Sequence, residues 1–218
     1  MTFDAFARGF MACYFGFVAL HYTVRLLAFR ARTGWSHADP GARGSANWRH
    51  QSVFRLFRAS ILIVCVARVP FPGIDQLLLP FEALANRPAV VATGILLMIA
   101  ALGAVDYVHS YLEADWRSGT GGRMPSRLFT DGPYGLTRNP IFLAVIAGQV
   151  GFFLALPSVF SLVCLIAGVA VLVRQSRVEE EALARHFGQA YEAYRASTPR
   201  WLPIHGGLRH PGKDGAKA

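Results

Sequence analysis

The most constraining feature of the chain is a run of 35 residues, 139–173, without a single charged side chain. As one helix at about 1.5 Å per residue the run would reach ~50 Å, well beyond a hydrocarbon core of ~30 Å. It is therefore read as two helices, about 140–156 and 158–175, turning at Pro157-Ser158. A tight apolar hairpin of this kind belongs in a bilayer. Composition agrees: 53% of the 218 residues are hydrophobic and 16% charged, against about 25% charge in soluble domains. Too little polar surface remains to coat a water-soluble globule.

Three further segments extend the count. Residues 88–105 are free of charge and continue through Tyr107 and Tyr111, rings suited to the membrane interface. Residues 9–24 end at Arg25 and Arg30. Residues 52–69 have an apolar heart at 60–67 and are interrupted by Arg55, Arg58 and Arg68, side chains that snorkel when near helix ends. The expected fold is all-α: a polytopic membrane protein of about five transmembrane helices, with no Rossmann sheet. With the N-terminus outside, the inner regions 30–51, 112–138 and 174–218 carry sixteen Lys and Arg, against two in the outer regions 1–8 and 69–88. This asymmetry accounts for the net charge of +9 through the positive-inside rule, without invoking nucleic acid. Cys13, Cys65 and Cys164 sit in apolar stretches and form no CxxC pair, so they read as small hydrophobes and no metal site is expected. The opening residues lack the basic start and cleavage site of a secretory signal. The glycine-rich stretch 118–122 follows no strand and reads as a loop. The tail 204–218 reads as disordered.

Two polar clusters flank the hairpin. The first covers 128–142. Asp131-Gly132-Pro133 is a turn signature, and Arg138-Asn139-Pro140 opens the hairpin's first helix, with proline suited to its first turn. A helix start offers free N–H groups to a carboxylate. Taken alone, the cluster reads equally well as a basic membrane-entry loop. The second covers 177–194, followed by Pro199-Arg200-Trp201. Glu179, Leu183, Phe187, Tyr191 and Tyr194 are spaced to share one helical face. Taken alone, this cluster reads as an amphipathic interfacial helix.

Together, the order Gly132-Pro133-Tyr134, Arg138, Pro140, uncharged hairpin, Glu179-Glu180, Leu183, Phe187-Gly188, Tyr191 and Tyr194 resembles the isoprenylcysteine carboxyl methyltransferase and phospholipid methyltransferase family. The likeness covers about 110–203, and residues 115–119 are similar to the segment preceding the loop in bacterial members. It implies N-terminal transmembrane helices over 1–110, a methyltransferase region over 111–203, and S-adenosylmethionine as methyl donor. By position it implies cofactor contacts from Ser126, Arg127, Leu128, Phe129, Tyr134, Asn139, Pro140, Ile141, Phe142 and Glu179. Arg138 is expected to anchor an anionic group, and Glu180 or a tyrosine to remove a proton where the acceptor carries one. The family often has histidine and tyrosine where this chain has Asn139 and Phe142. Prenylcysteine enzymes have an arginine where this chain has Gln175, which argues against a prenylcysteine carboxylate as acceptor. The implied partners are a lipid bilayer and a lipophilic or small acceptor bearing a carboxylate, amine or thiol. The implied location is a bacterial inner membrane with the site facing the cytoplasm. The rival reading is a non-catalytic scaffold or transporter. Transport sits badly with a hairpin whose middle holds only Gln149 as a polar group.

Overall fold

The computed structural model describes residues 2–34, 42–112 and 124–202. The segments 115–119 and 118–122 and the tail 204–218, singled out above, lie outside the described residues. The order of elements is α1 (Phe3–Thr33), α2 (Ala46–Ala67), α3 (Ile74–Leu77), α4 (Glu82–Ala85), α5 (Pro88–Leu112), α6 (Pro133–Leu136), α7 (Pro140–Ala155), α8 (Val159–Phe187) and α9 (Gln189–Ser197). No strand occurs among the described residues. Among the described residues, four helices, α1, α2, α5 and α8, are long and apolar enough to cross a membrane. The fifth apolar helix, α7, has 16 residues, about 24 Å of rise. The expected architecture of about five apolar helices is therefore present, with one of them short.

The helix ends follow local chemistry. Thr2 caps α1 by accepting from Ala5 N, and Gly34, at φ +74°, closes it with its N–H on Arg30 O. Ser45 caps α2 by accepting from Trp48 N. The helix thus starts six residues before the 52–69 expected from the apolar pattern and reaches 22 residues. The hairpin turn is fixed by a capping box, in which Ser158 and Ser161 each satisfy the other's backbone N–H.

Large apolar side chains face outward along the long helices. Phe17, Leu20, Leu27, Leu56, Ile63, Leu96 and Ile166 are each more than half exposed, the pattern of a surface solvated by lipid. Inside, α5 and α7 approach so closely that glycine is required. A Cβ on Gly94 would lie 2.3 Å from Ala155 N and 2.6 Å from Gly151 O, and one on Gly151 would lie 2.9 Å from Gly94 O. Small residues let helix backbones meet in this way in membranes. α1 joins the pair through Tyr14, whose hydroxyl donates to Met98 O at 3.0 Å. At the hairpin-turn end, Asp75 accepts from Arg8 Nε at 2.9 Å and from Arg68 Nε, joining α1, the end of α2 and α3.

Gly94→Ala is expected to force the α5 and α7 backbones apart, at about 1–3 kcal/mol as for other overpacked cores. Gly103 has open space around its Cβ position, so Gly103→Ala should be neutral or slightly stabilising. Thermal unfolding of both variants in one detergent checks this. Equal midpoints would mean that the close approach does not hold the pair together.

Candidate active site

The two polar clusters meet at the end of the bundle opposite the hairpin turn. Asp131, Gly132 and Pro133 form the expected turn, with Tyr134 N donating to Asp131 O at 3.0 Å. Gly132 sits at φ +54°, and a Cβ there would strike the Tyr111 ring at 2.9 Å. The turn therefore lies against the end of α5. A hydrogen bond from Tyr111 holds the Asp131 carboxyl below its ordinary range.

The loop presents an aromatic wall. The Phe129 ring is buried, 5.9 Å from Tyr111 and 6.3 Å from Tyr134 between centroids. The Arg127 guanidinium lies 4.4 Å from the Phe129 centroid, a cation–π arrangement. Ser126 and Arg127 are exposed and Leu128 half-buried. Burial, reinforced by the charge of Glu179, pushes the Tyr134 phenol well above its ordinary pKa. Glu179 therefore lies within electrostatic reach of Tyr134. Ile141 and Phe142 occupy the first turn of α7 behind Pro140.

The neighbouring glutamates have opposite surroundings. Consecutive helical residues point about 100° apart, and here the two directions lead to different partners. Glu180 accepts from Arg138 Nη2 at 3.0 Å, Asn139 Nδ2 at 3.0 Å, and Arg200 Nε and Nη2 at 2.8 and 3.0 Å. Arg138 Nη1 also donates to Arg195 O and Thr198 O at 3.0 and 2.9 Å, and Arg138 N to Pro199 O at 2.9 Å. Thr137 Oγ1 donates to Arg200 O at 2.8 Å, and Tyr194 Oη to Tyr134 O at 2.7 Å. Together these bonds stitch the C-terminal segment 194–200 to the 134–139 loop, with Glu180 at the centre. Arg138 and Glu180, expected as catalytic groups, are thus bonded to each other. Arg138 has its positive charge matched, which leaves it poorly placed to anchor a second anion. Glu180 serves two guanidinium groups, which leaves it a poor base. Burial also pushes the Tyr191 phenol up to about 12 and raises that of Tyr194, so neither phenol ionises readily.

Glu179 has no cationic side chain within ion-pair distance among the described residues. Its Oε1 accepts from Gln175 Nε2 at 3.0 Å. Gln175 in turn donates to Asn47 Oδ1 at 2.8 Å, and its Oε1 lies 3.0 Å from His50 Nδ1. Two residues of α2 therefore belong to the site, a contribution that no sequence motif indicated.

The expected single face running from Glu179 to Tyr194 is not one face. α8 stops at Phe187, Gly188 turns at φ +53°, and α9 begins at Gln189. Glu179, Leu183 and Phe187 stay on α8. Tyr191 and Tyr194 are buried on α9, 6.0 Å apart.

Residues 89–190 match the phospholipid methyltransferase family model. Over that segment, somewhat under half of the chain, the protein is similar to this family. The match takes in α5, the loop, the hairpin and Glu179-Glu180, and leaves out α1, α2 and most of α9. Neither a curated protein nor a solved structure matches the chain. The family is one of membrane methyltransferases, in keeping with the long apolar helices.

Proposed function

We propose that the chain is an S-adenosylmethionine-dependent methyltransferase acting on a lipophilic or small acceptor, with its cofactor held between the 126–142 loop and Glu179. One observation carries this reading: a half-buried carboxylate within electrostatic reach of Tyr134 has no cation to neutralise it among the described residues, while its neighbour Glu180 has two. A carboxylate so placed suits a ligand ammonium. Phe129 and Tyr134 suit the flat face of a purine. Asn139 and Pro140 close the site at the start of α7, with Ile141 and Phe142 behind them. Ser126, Arg127 and Leu128 form its outer rim. The residues present therefore fit this cofactor.

When bound, the cofactor supplies a methyl group already activated on a sulfonium. The protein's work is then positioning, which holds donor and acceptor as a near-attack pair. Glu179 fixes one end of the donor, and Gln175 keeps the Glu179 carboxylate oriented. The Arg138–Glu180–Arg200 clamp acts indirectly, by holding α9 and the Tyr134 backbone in place. The region 111–203 thus carries most of the transfer site, with α2 added to it. The basic asymmetry favours a site on the cytoplasmic face, where a polar cofactor enters from the cytosol and a lipophilic acceptor from the bilayer.

Titration of S-adenosylmethionine into the detergent-purified full chain, followed by calorimetry, tests the reading. A saturable single-site isotherm is expected. The scaffold alternative predicts none, and a flat titration would overturn the cofactor assignment.

A further inference from the structure

The acceptor's side of the site is not described by the loop or the glutamates, and the network on α2 bears on it. Gln175 turns its NH2 towards Glu179, donating to Oε1 at 3.0 Å. That same NH2 serves Asn47 Oδ1. Gln175 Oε1 is left facing His50 Nδ1 at 3.0 Å. Being an acceptor, it requires the proton of a neutral His50 to sit on Nδ1. The lone pair is then on Nε2, for which no partner occurs among the described residues. Orientation of one ring nitrogen by a fixed partner, with the other left as a base, is how an imidazole is prepared for proton transfer.

A mostly apolar cavity of about 60 Å³, which Arg58 and Gln149 also line, lies between α2, α7 and α8. It is lined by Val53, Phe54 and Phe57 of α2, Phe152 of α7, and Leu165 and Val171 of α8. Val53 is one turn from His50, and Val171 one turn from Gln175. An apolar chain seated against Val53 and Val171 can bring its head group towards His50.

We propose that His50 is a catalytic base for the acceptor, and that the acceptor is an apolar chain ending in a nucleophile that carries a proton at neutral pH, a thiol or an amine, rather than a carboxylate. This rests on the methyltransferase reading above. For a thiol, the sulfur–hydrogen bond breaks and its proton passes to His50 Nε2, giving imidazolium and thiolate. The thiolate lone pair then forms the new bond to the methyl carbon. The bond from that methyl to the donor sulfur breaks, both electrons remaining on the donor sulfur, which becomes a neutral thioether. The imidazolium returns its proton to water. A carboxylate is ionised already and has no use for the base.

Two measurements on the full chain in detergent test this. The first is acylation by diethyl pyrocarbonate with peptide mapping, which reports a bare, accessible imidazole nitrogen without turnover. His50 is expected to be labelled along with the exposed His186. Labelling of His186 alone overturns the proposal. The second compares wild type and His50→Gln, which keeps an N–H for Gln175 but removes the base. Cofactor affinity by calorimetry should stay within about twofold, while transfer to dodecanethiol or dodecylamine should fall about a hundredfold or more, with partial rescue by added imidazole. Unchanged transfer in His50→Gln overturns the proposal, as does wild-type transfer to dodecanoate alone or to none of the three. Failure of the wild type to bind S-adenosylmethionine overturns the methyltransferase reading and this proposal with it. Normal binding with an inert substitution at His50 overturns this proposal alone.

Discussion

Glu180→Ala is expected to release the C-terminal segment from the bundle and to lower stability by about 3–5 kcal/mol, the usual loss when one partner of a buried ion pair is removed. The size follows from what stays behind. Arg138 and Glu180 have side chains only 8% exposed. Without the carboxylate, the Arg138 guanidinium keeps its two carbonyl acceptors, Arg195 O and Thr198 O, but loses its counter-charge. Arg200 is 32% exposed and can turn to water, so its share is small. The loss should appear first in α9. Amide hydrogen exchange over 189–200 should accelerate more than exchange in α5 or α7, and the Tyr194–Tyr134 bond should loosen with it. Glu180→Gln keeps one acceptor oxygen and should lose less. In the double variant Arg138→Leu/Glu180→Leu, stability should partly recover, because neither charge is then left alone. A Glu180→Ala protein melting within about 0.5 kcal/mol of wild type, the range of ordinary surface substitutions, would show that the clamp does not hold this segment.

The hairpin was readable because absence of charge over 139–173 is a local property, and a bilayer enforces it directly. The loop turn was readable for a similar reason, since Asp131, Gly132 and Pro133 specify it within three residues. α2 was readable only in its middle. Its first turns, starting at the Ser45 cap, are polar, and hydropathy is silent there although a serine before a helical run is a start signal. The error at Gly188 has the same character. Spacing by four carried the face across a glycine whose positive φ ends α8, and glycine after an apolar periodic run is a stop signal. The partners of the two glutamates were not readable. Arg138 and Arg200 lie 42 and 20 residues from Glu180, and only the folded hairpin decides which carboxylate they meet. Asn47 and His50 are harder still, at 128 and 125 residues from Gln175, in a helix outside the family match. No local pattern reports a pairing of that range.

The same asymmetry sets the expectation for Glu179→Gln, a weakening of S-adenosylmethionine binding by about 30- to 1000-fold. Glutamine keeps the shape of the side chain and can still present an oxygen to Gln175 Nε2, now at 3.0 Å from Glu179 Oε1. The local network and the fold should therefore survive, which separates this variant from Glu180→Ala. What disappears is the negative charge. If Glu179 meets the ammonium of the cofactor in a partly desolvated site next to Phe129 and Tyr134, losing that charge leaves the ammonium unpaired, at about 2–4 kcal/mol; each 1.4 kcal/mol is tenfold in affinity. If Glu179 is instead a solvated residue of an interfacial helix, the change is worth a few tenths of a kcal/mol and the two proteins bind alike. The prediction also has a sign in the apo protein. A half-buried carboxylate without a cation is a liability until its ligand arrives, so Glu179→Gln should melt no lower than wild type in the absence of cofactor and should gain much less than wild type when S-adenosylmethionine is added. Thermal melts of both proteins with and without the cofactor measure the two effects in one experiment. Equal ligand-induced shifts would remove Glu179 from the site.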